Sequence, residues 1–99
     1  MVQNFISIRD SKSGVFSRPQ SVVSLGVGRR MFGDLALDSN TDVGRHPEDF
    51  ALYHLGDFDD VSGALINNPQ PVFVCNAIDF VNSKRINVNP KIYRGGIRM

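Results

Sequence analysis

The chain has 99 residues, a hydrophobic fraction of 41% and a formal net charge of +1. This size fits one compact domain with a modest core, and the apolar content excludes a chain that stays disordered. No run approaches the roughly 18 consecutive apolar residues of a membrane span, and the N-terminus lacks the basic start and apolar run of a signal peptide.

The N-terminal third predicts a short antiparallel unit. Residues 3–9 place β-prone and polar side chains at alternate positions, which predicts a strand. Residues 10–14 predict a turn, and residues 15–17 are expected to pair back as its second strand. Pro19 then places that strand at an edge of the sheet. Residues 21–25 predict a further short strand or the lead-in to a helix.

The segment 28–40 predicts a helix. Met31, Phe32 and Leu35 recur there at spacings near 3.6 residues, so they share one face. Gly33 costs such a helix about 1 kcal/mol relative to alanine. The helix is therefore expected to depend on packing against the rest of the domain.

A loop over residues 43–49 leads to the strongest strand pattern of the chain, at residues 50–58. The proline in this loop disfavours helix at the position before it. Along the strand, Ala51, Tyr53 and Leu55 are expected to share one face. The other face is expected to hold Phe50, Leu52, His54 and Gly56.

The second half of the chain predicts two further strands. A turn at 59–63 and a return strand at 64–66 complete a hairpin with the preceding strand. Residues 67–71 contain two prolines and are predicted to break the sheet. The apolar run 71–81 predicts either a long central strand or a strand that bends near Asn76.

Residues 82–99 are polar, basic and interrupted by proline and glycine, which predicts a C-terminal tail. The remaining residues 1–81 are predicted to form a single α+β domain. Its architecture is expected to be a small antiparallel sheet of four or five strands with one helix packed on a face.

Charge is distributed unevenly along the chain. Residues 34–60 contain eight acidic side chains and one arginine, whereas residues 82–99 contain five basic side chains and no acid. The first 33 residues add five basic side chains against one acid. The net charge indicates no particular partner, but basic ends around an acidic middle indicate a contact with an anionic surface.

The segment from residue 46 to residue 63 reads HPEDFALYHLGDFDDVSG. It resembles a stretch of the small nonstructural protein of gokushoviruses, which are Microviridae phages with a small circular single-stranded DNA genome. In that family a helix precedes an HPED turn, then a strand, then a hairpin that contains glycine, an acid, phenylalanine and aspartate. The order is the same here, and the likeness extends over about residues 3–81. The basic stretch 82–99 and the cationic segment 26–30 depart from the family pattern.

The resemblance implies a nonstructural protein that acts in viral genome synthesis in the host cytoplasm. It implies either direct binding to DNA or a role in diverting synthesis from duplex copying to single strands for packaging. The family does not contribute to the capsid, and no enzymatic activity is expected.

Basic side chains near the two ends are the candidate DNA contacts. Cations of this kind neutralise phosphates and release counterions, which gives affinity without sequence preference. An aromatic residue among them can stack on an unpaired base at roughly 1–3 kcal/mol, and Phe16 near Arg18 offers the same contact. The predicted nucleic-acid-binding residues are Arg29, Arg30, Lys84, Arg85, Lys91, Tyr93, Arg94 and Arg98.

Other kinds of site are not expected. Residues 24–30 lack the lysine-serine end of a nucleotide-binding loop, and the carboxylates at 57–60 lack the closing glutamate of an EF-hand. His46 and His54 have no cysteine near them, so a zinc site is not predicted. Cys75 is the single cysteine, which favours a reducing cytoplasm, and its apolar neighbours predict an inert buried thiol. We expect no catalytic residue, metal ion or cofactor.

Two functions remain open from the sequence. The first is a nonenzymatic protein that binds single-stranded DNA through its basic ends during viral genome synthesis. The second is a protein-interaction module that modulates the replication or packaging machinery without contacting DNA. In the second case the basic stretch is a solubilising tail or an arm that meets the acidic middle of another copy. A small core and exposed strand edges also favour a homodimer.

Overall fold

The computed structural model describes the backbone of residues 1–88 and the side chains of residues 1–84. No helix in this part of the chain is long and apolar enough to cross a membrane. The elements in chain order are β1 (Val2–Asp10), β2 (Val15–Phe16), β3 (Gln20–Val22), α1 (Leu25–Ala36), α2 (Asp42–Arg45), a short 3-10 helix (Pro47–Asp49), β4 (Phe50–Asp59), β5 (Leu65–Asn76) and α3 (Ala77–Val88).

The sheet is antiparallel and has β1 and β4 at its centre. β1 pairs with β4 along its whole length, from Val2 opposite Asp59 to Asp10 opposite Phe50. β2 and β3 both pair with the other edge of β1, and β5 pairs with the other edge of β4. The described residues thus form a five-stranded sheet, and the predicted α+β architecture is confirmed.

The core lies between one face of this sheet and the helices. Phe32 of α1 is 1% exposed, and Leu52 of β4 is completely buried. The ring of Phe80 in α3 meets the ring of Phe32 edge to face, with 6.2 Å between the centroids, as aromatic pairs prefer. Burying apolar side chains of this size contributes about 1.5–3 kcal/mol each. The core residues are Ile6, Val22, Phe32, Ala36, Val43, Leu52, Cys75 and Ala77.

Helix α1 occupies most of the predicted segment 28–40 but begins earlier, at Leu25. Ser24 precedes it in an extended conformation, and its Oγ accepts a hydrogen bond from the backbone N–H of Val27 at 3.2 Å. This bond satisfies one of the amide groups that the first turn leaves without a partner. The cap therefore explains why the helix starts three residues before the predicted segment. The helix also ends earlier than predicted, at Ala36 instead of residue 40.

Residues 42–45 form the short helix α2 within a segment predicted as a loop. The hydroxyl of Thr41 accepts a hydrogen bond from the Gly44 backbone N–H at 3.0 Å and donates one to the Leu35 carbonyl at 2.7 Å. One threonine thus caps α2 and fixes it to the last turn of α1. Helix α2 has only four residues, too few for an apolar periodicity to indicate a helix.

The predicted strand over 71–81 is wrong in its second half, because β5 ends at Asn76 and α3 begins at Ala77. Ala77 is completely buried and Phe80 packs against the core, three residues further along one helix face. A short apolar run fits a strand and a buried helix equally well, so periodicity could not distinguish them. The domain therefore has three α-helices in its described part rather than one.

Helix α3 also crosses position 82, where the basic tail was predicted to begin. Residues 82–88 continue this helix, and residues 89–99 lie outside the described part of the chain. The boundary between the domain and the basic segment stays a prediction.

Strand β5 continues through residues 67–71, which were predicted to break the sheet. Its two prolines are tolerated because they lie in an edge strand where pairing with β4 is interrupted between His54 and Gly56. The side-chain amide of Asn68 donates to the His54 carbonyl at 2.9 Å. A side chain thus supplies a hydrogen bond where the prolines have no N–H to offer.

Gly56→Ala is expected to lower the free energy of unfolding by about 1–3 kcal/mol. The added carbon would lie 3.0 Å from Asn67 Cα and closer still to the Ile66 carbonyl oxygen, and both are backbone atoms of β5. Gly26→Ala is the matched control, because its added carbon would lie 3.8 Å from Ser24 Oγ and a helix favours alanine. Urea denaturation measures both variants, and unchanged stability of Gly56→Ala would contradict the close approach of β5 to β4.

Candidate nucleic-acid interface

Within the described residues, the helices cover one face of the sheet and leave the other face open. Ile6 of β1 packs in the core beneath the helices. Because successive residues of a strand point to opposite faces, Phe5, Ser7 and Arg9 of β1 point away from the helices. We call this second surface the helix-free face.

Three aromatic rings cross the helix-free face in a row. Tyr53 lies opposite Ser7, Phe73 lies opposite Tyr53, and Phe16 lies opposite Arg9. The ring centroids of Phe16 and Tyr53 are 5.3 Å apart and those of Tyr53 and Phe73 are 5.9 Å apart, both edge to face. Phe16, Tyr53 and Phe73 form what we call the aromatic row, which runs from β2 to β5.

The aromatic row is accessible to solvent at both ends, with Phe16 37% and Phe73 52% exposed. At the β5 end, a register shift next to Tyr53 makes Val74 the additional residue of a bulge. Val74 packs against the core, whereas Phe73 takes the place opposite Tyr53. The bulge therefore turns Phe73 out of the core and onto the helix-free face, as bulges do elsewhere in sheets.

Cations lie beside the β2 end of the row. The guanidinium carbon of Arg9 is 5.9 Å from the centroid of the Phe16 ring, which is within range of a cation–π interaction. Lys12 lies in the turn between β1 and β2, and Arg18 follows β2; both are exposed. Positive charge and an aromatic surface therefore meet at this edge of the sheet.

Carboxylates also lie near the β2 end of the aromatic row. Glu48 and Asp49 line a shallow cavity of about 160 Å³ together with Arg9 and Tyr53. Their negative charge reduces the positive potential around Arg9, since nearby opposite charges partly cancel. A polyanion approaching the row is thus expected to follow the Phe16 and Arg18 side rather than the side of the 3-10 helix.

The cations predicted to bind DNA do not all reach the aromatic row. Arg29 of α1 lines a cavity of about 230 Å³ together with residues of β5 and α3, among them Phe73 and Asp79, so it lies in the helical layer at the β5 end of the row. Arg30 and Lys84 are exposed on α1 and α3, in the helical layer. The side chains of Arg85, Lys91, Tyr93, Arg94 and Arg98 lie outside the described residues.

Sequence reasoning missed three residues of this surface: Arg9, Tyr53 and Phe73. The alternation in 50–58 placed Tyr53 on a face but did not say which face the helices cover. Phe73 could not be found from alternation, because the bulge at Val74 changes the direction of its side chain. The one sequence feature that could have indicated this surface is the presence of an arginine, a tyrosine and two phenylalanines in strands that pair with one another.

A hydrogen-bonded polar group holds β4 in place next to Tyr53. Asp57 Oδ1 accepts hydrogen bonds from Asn4 Nδ2 at 2.7 Å and from His54 Nε2 at 2.8 Å. With Nε2 as the donor, His54 Nδ1 accepts from the Asn68 amide at 3.2 Å. The hydrogen bond from Asn4, followed by that from His54, lowers the pKa of Asp57 from its ordinary value of 3.8. All four side chains are engaged with one another, so the group positions the strand.

Cys75 is a buried thiol, and a cluster of potential metal-ligand atoms lies around His46. Burial raises the pKa of the Cys75 thiol, which keeps it protonated at neutral pH. Donor atoms of His46, Glu48 and Asp49 lie within 4.8 Å of one another, but His46 and Glu48 are exposed. Exposed sets of this kind are common on protein surfaces, and no further feature among the described residues points to a cation there.

Asn4→Ala is expected to raise the pKa of Asp57 toward its ordinary value by removing the largest cause of the shift. Because this pKa is depressed in the folded chain, the ionised carboxylate stabilises the fold above about pH 4, and the contribution is lost as the pH falls through the folded pKa. Carboxyl NMR titration of Asp57 measures the change. Gln3→Ala is the matched control, since Gln3 donates to Asp60 instead. An unchanged pKa in Asn4→Ala would contradict the assigned network.

Comparison with protein families matches residues 3–80 to the model of the phage ORF5 protein. The match covers most of the chain, and the chain therefore belongs to the phage ORF5 protein family. This finding confirms the expected phage origin, while the gokushovirus assignment and the role in DNA synthesis stay predictions. No curated protein and no solved structure matches the chain.

Proposed function

We propose that this phage ORF5 protein binds single-stranded DNA without sequence preference, and that it does so in the host cytoplasm during viral genome synthesis. It acts by binding and not as an enzyme. The gokushovirus-like segment 46–63 contributes the β4 strand on which the central ring of the aromatic row lies. The segment that resembles the gokushovirus family therefore also contributes to the surface that we propose binds DNA.

The aromatic row beside Arg9 is the observation that carries the proposal. Single-stranded DNA exposes the faces of its bases, which stack on aromatic side chains at about 1–3 kcal/mol per base. Phe16, Tyr53 and Phe73 offer three neighbouring rings on a face without helices. A duplex hides its base faces within the helical stack, so this surface favours unpaired strands.

Phosphate contacts supply the second part of the affinity. Arg9, Lys12 and Arg18 flank the β2 end of the row, and Arg29 lies near its β5 end. Cations at both ends can follow the backbone of a strand that crosses the sheet. The predicted basic residues Arg85, Lys91, Arg94 and Arg98 would extend this contact, with Tyr93 as a further stacking residue.

A protein-interaction module is the second candidate. Residues 64–78 contain no charged side chain, and β5 lies at an edge of the sheet. Leu65, Ile66 and Val72 of this strand are 64%, 53% and 51% exposed. An uncharged apolar edge fits another protein surface, either a replication or packaging protein or a second copy in a homodimer.

Phe73→Ala is expected to weaken binding of an oligo(dT) strand by about 1–3 kcal/mol through loss of one stacking surface. Phe73 is 52% exposed, so its removal should leave the fold intact. Val61→Ala is the matched control, because Val61 is an 83% exposed apolar residue in the turn after β4. Fluorescence polarisation of a labelled strand measures both variants.

Phe73→Trp should retain binding, since it keeps an aromatic face at the same position. Equal affinity of wild type, Phe73→Ala and Val61→Ala would remove the aromatic row from the interface. No binding of wild type even at low salt would remove DNA binding altogether and favour the protein-interaction module.

A triple substitution Lys91→Gln, Arg94→Gln and Arg98→Gln tests the basic C-terminal segment. For single strands the slope of log K against log salt is about −0.7 per neutralised phosphate. If each residue contacts one phosphate, the slope of the variant should be less negative by about 2. Polarisation titrations from low to moderate salt give the slope, and identical slopes would exclude these three cations from the contact.

A further inference from the structure

We propose that a cavity on the helix-free face, beside the aromatic row, receives one unpaired nucleobase and that the Asn67 amide bonds to the edge of this base. This inference rests on the proposed binding of single-stranded DNA and goes further by naming a base subsite. We call the cavity the base cavity. It has a volume of about 260 Å³ and is lined by Phe5, Pro19, Leu55, Gly56, Leu65 and Asn67.

The strand register places the base cavity on the same surface as the aromatic row. Phe5 lies opposite Gly56, and Gly56 lies opposite Asn67, so one line across β1, β4 and β5 forms the cavity. Phe5 also shares its face of β1 with Ser7, which lies opposite Tyr53 of the row. A strand stacked on the row can therefore continue to the cavity without leaving this face of the sheet.

Gly56 and the irregular pairing around it shape the cavity. The backbone of β5 approaches Gly56 so closely that a side chain there would meet Ile66 and Asn67. The pairing of β1 with β4 shifts register past Leu55, which becomes the extra residue and lines the cavity. The depression thus lies where two register shifts meet, and its depth follows from the missing side chain.

The lining matches the chemistry of a nucleobase. Five of the six residues are apolar or glycine, and Asn67 is the single polar side chain among them. A base has two flat apolar faces and a polar edge, so it needs apolar walls and one group that both donates and accepts. An asparagine amide provides one oxygen acceptor and two N–H donors.

The volume of the base cavity and the residues that line it favour a single nucleobase over a larger ligand. The volume lies below the roughly 300–1,000 Å³ of pockets for drug-sized ligands. The ring of Phe5 lines the cavity and packs against Phe58, with 6.2 Å between the ring centroids and 47° between the planes. A planar aromatic ligand packs well against such a wall.

Among the described residues, the Asn67 side chain makes no hydrogen bond, unlike that of its neighbour Asn68. The Asn68 amide is engaged with the carbonyl and ring nitrogen of His54, at 2.9 and 3.2 Å. Asn67 is exposed and lines the cavity instead. Asn68 thus stabilises the pairing of β5 with β4, and Asn67 faces the base cavity.

The test compares the affinities of oligo(dT), oligo(dC) and oligo(dA) for wild type and Asn67→Ala. We expect the affinity for each of the three strands to fall by about three- to tenfold, because one hydrogen bond to the base edge is lost. The salt dependence should stay the same, since no cation is removed. Gln70→Ala is the matched control, an exposed amide on the same strand outside the cavity lining.

A second readout uses the unmodified protein, so it does not depend on how the variant folds. Addition of oligo(dT) should shift the side-chain amide NMR signal of Asn67, and a strand with abasic sites should shift it much less. Tight binding with equal affinity of wild type and Asn67→Ala and an unmoved Asn67 signal would overturn the base cavity while leaving the proposed function intact. No binding of any oligonucleotide by wild type would overturn both.

Discussion

The antiparallel pairing of β1 with β4 determines where every other part of the molecule can lie. It runs over the whole of β1 and gives the two central strands a buried side, marked by Ile6 and Leu52, and an open side. The helices cover the buried side, since Phe32 and Phe80 need the apolar surface there. On the open side β1 contributes the small, buried Ser7, above which Phe16 and Tyr53 can meet.

Irregularities in the sheet are as important as its regular pairing. The bulge at Val74 turns Phe73 outward and so completes the aromatic row. The register shifts around Leu55 and Gly56 create the base cavity. The hydrogen bonds of Asp57 and His54 hold β4 between these two features. Local disruption of pairing at defined residues is a common way to build a binding surface on a sheet.

Local patterns predicted β1, β4 and most of α1, but not the continuous course of β5 or the helices α2 and α3. Alternation found β1 and β4, and the 3.6-residue spacing found α1. Helix α2 depends on the contact of Thr41 with Leu35, and α3 follows an apolar run that also fits a strand. For the candidate site, charge distribution predicted Arg29 as a DNA contact, and this stays a prediction. Arg9 and Phe73 were found only from the register of the sheet, which sequence spacing does not contain.

Ultraviolet cross-linking of oligo(dT) to the protein, followed by peptide mass spectrometry, tests the central claim most directly. Bases stacked on aromatic side chains lie in contact with them, so cross-links should occur in the peptides that contain Phe16, Tyr53 and Phe73. Cross-links confined to helix α1, or none at protein concentrations that saturate the strand, would contradict a DNA-binding role for the helix-free face.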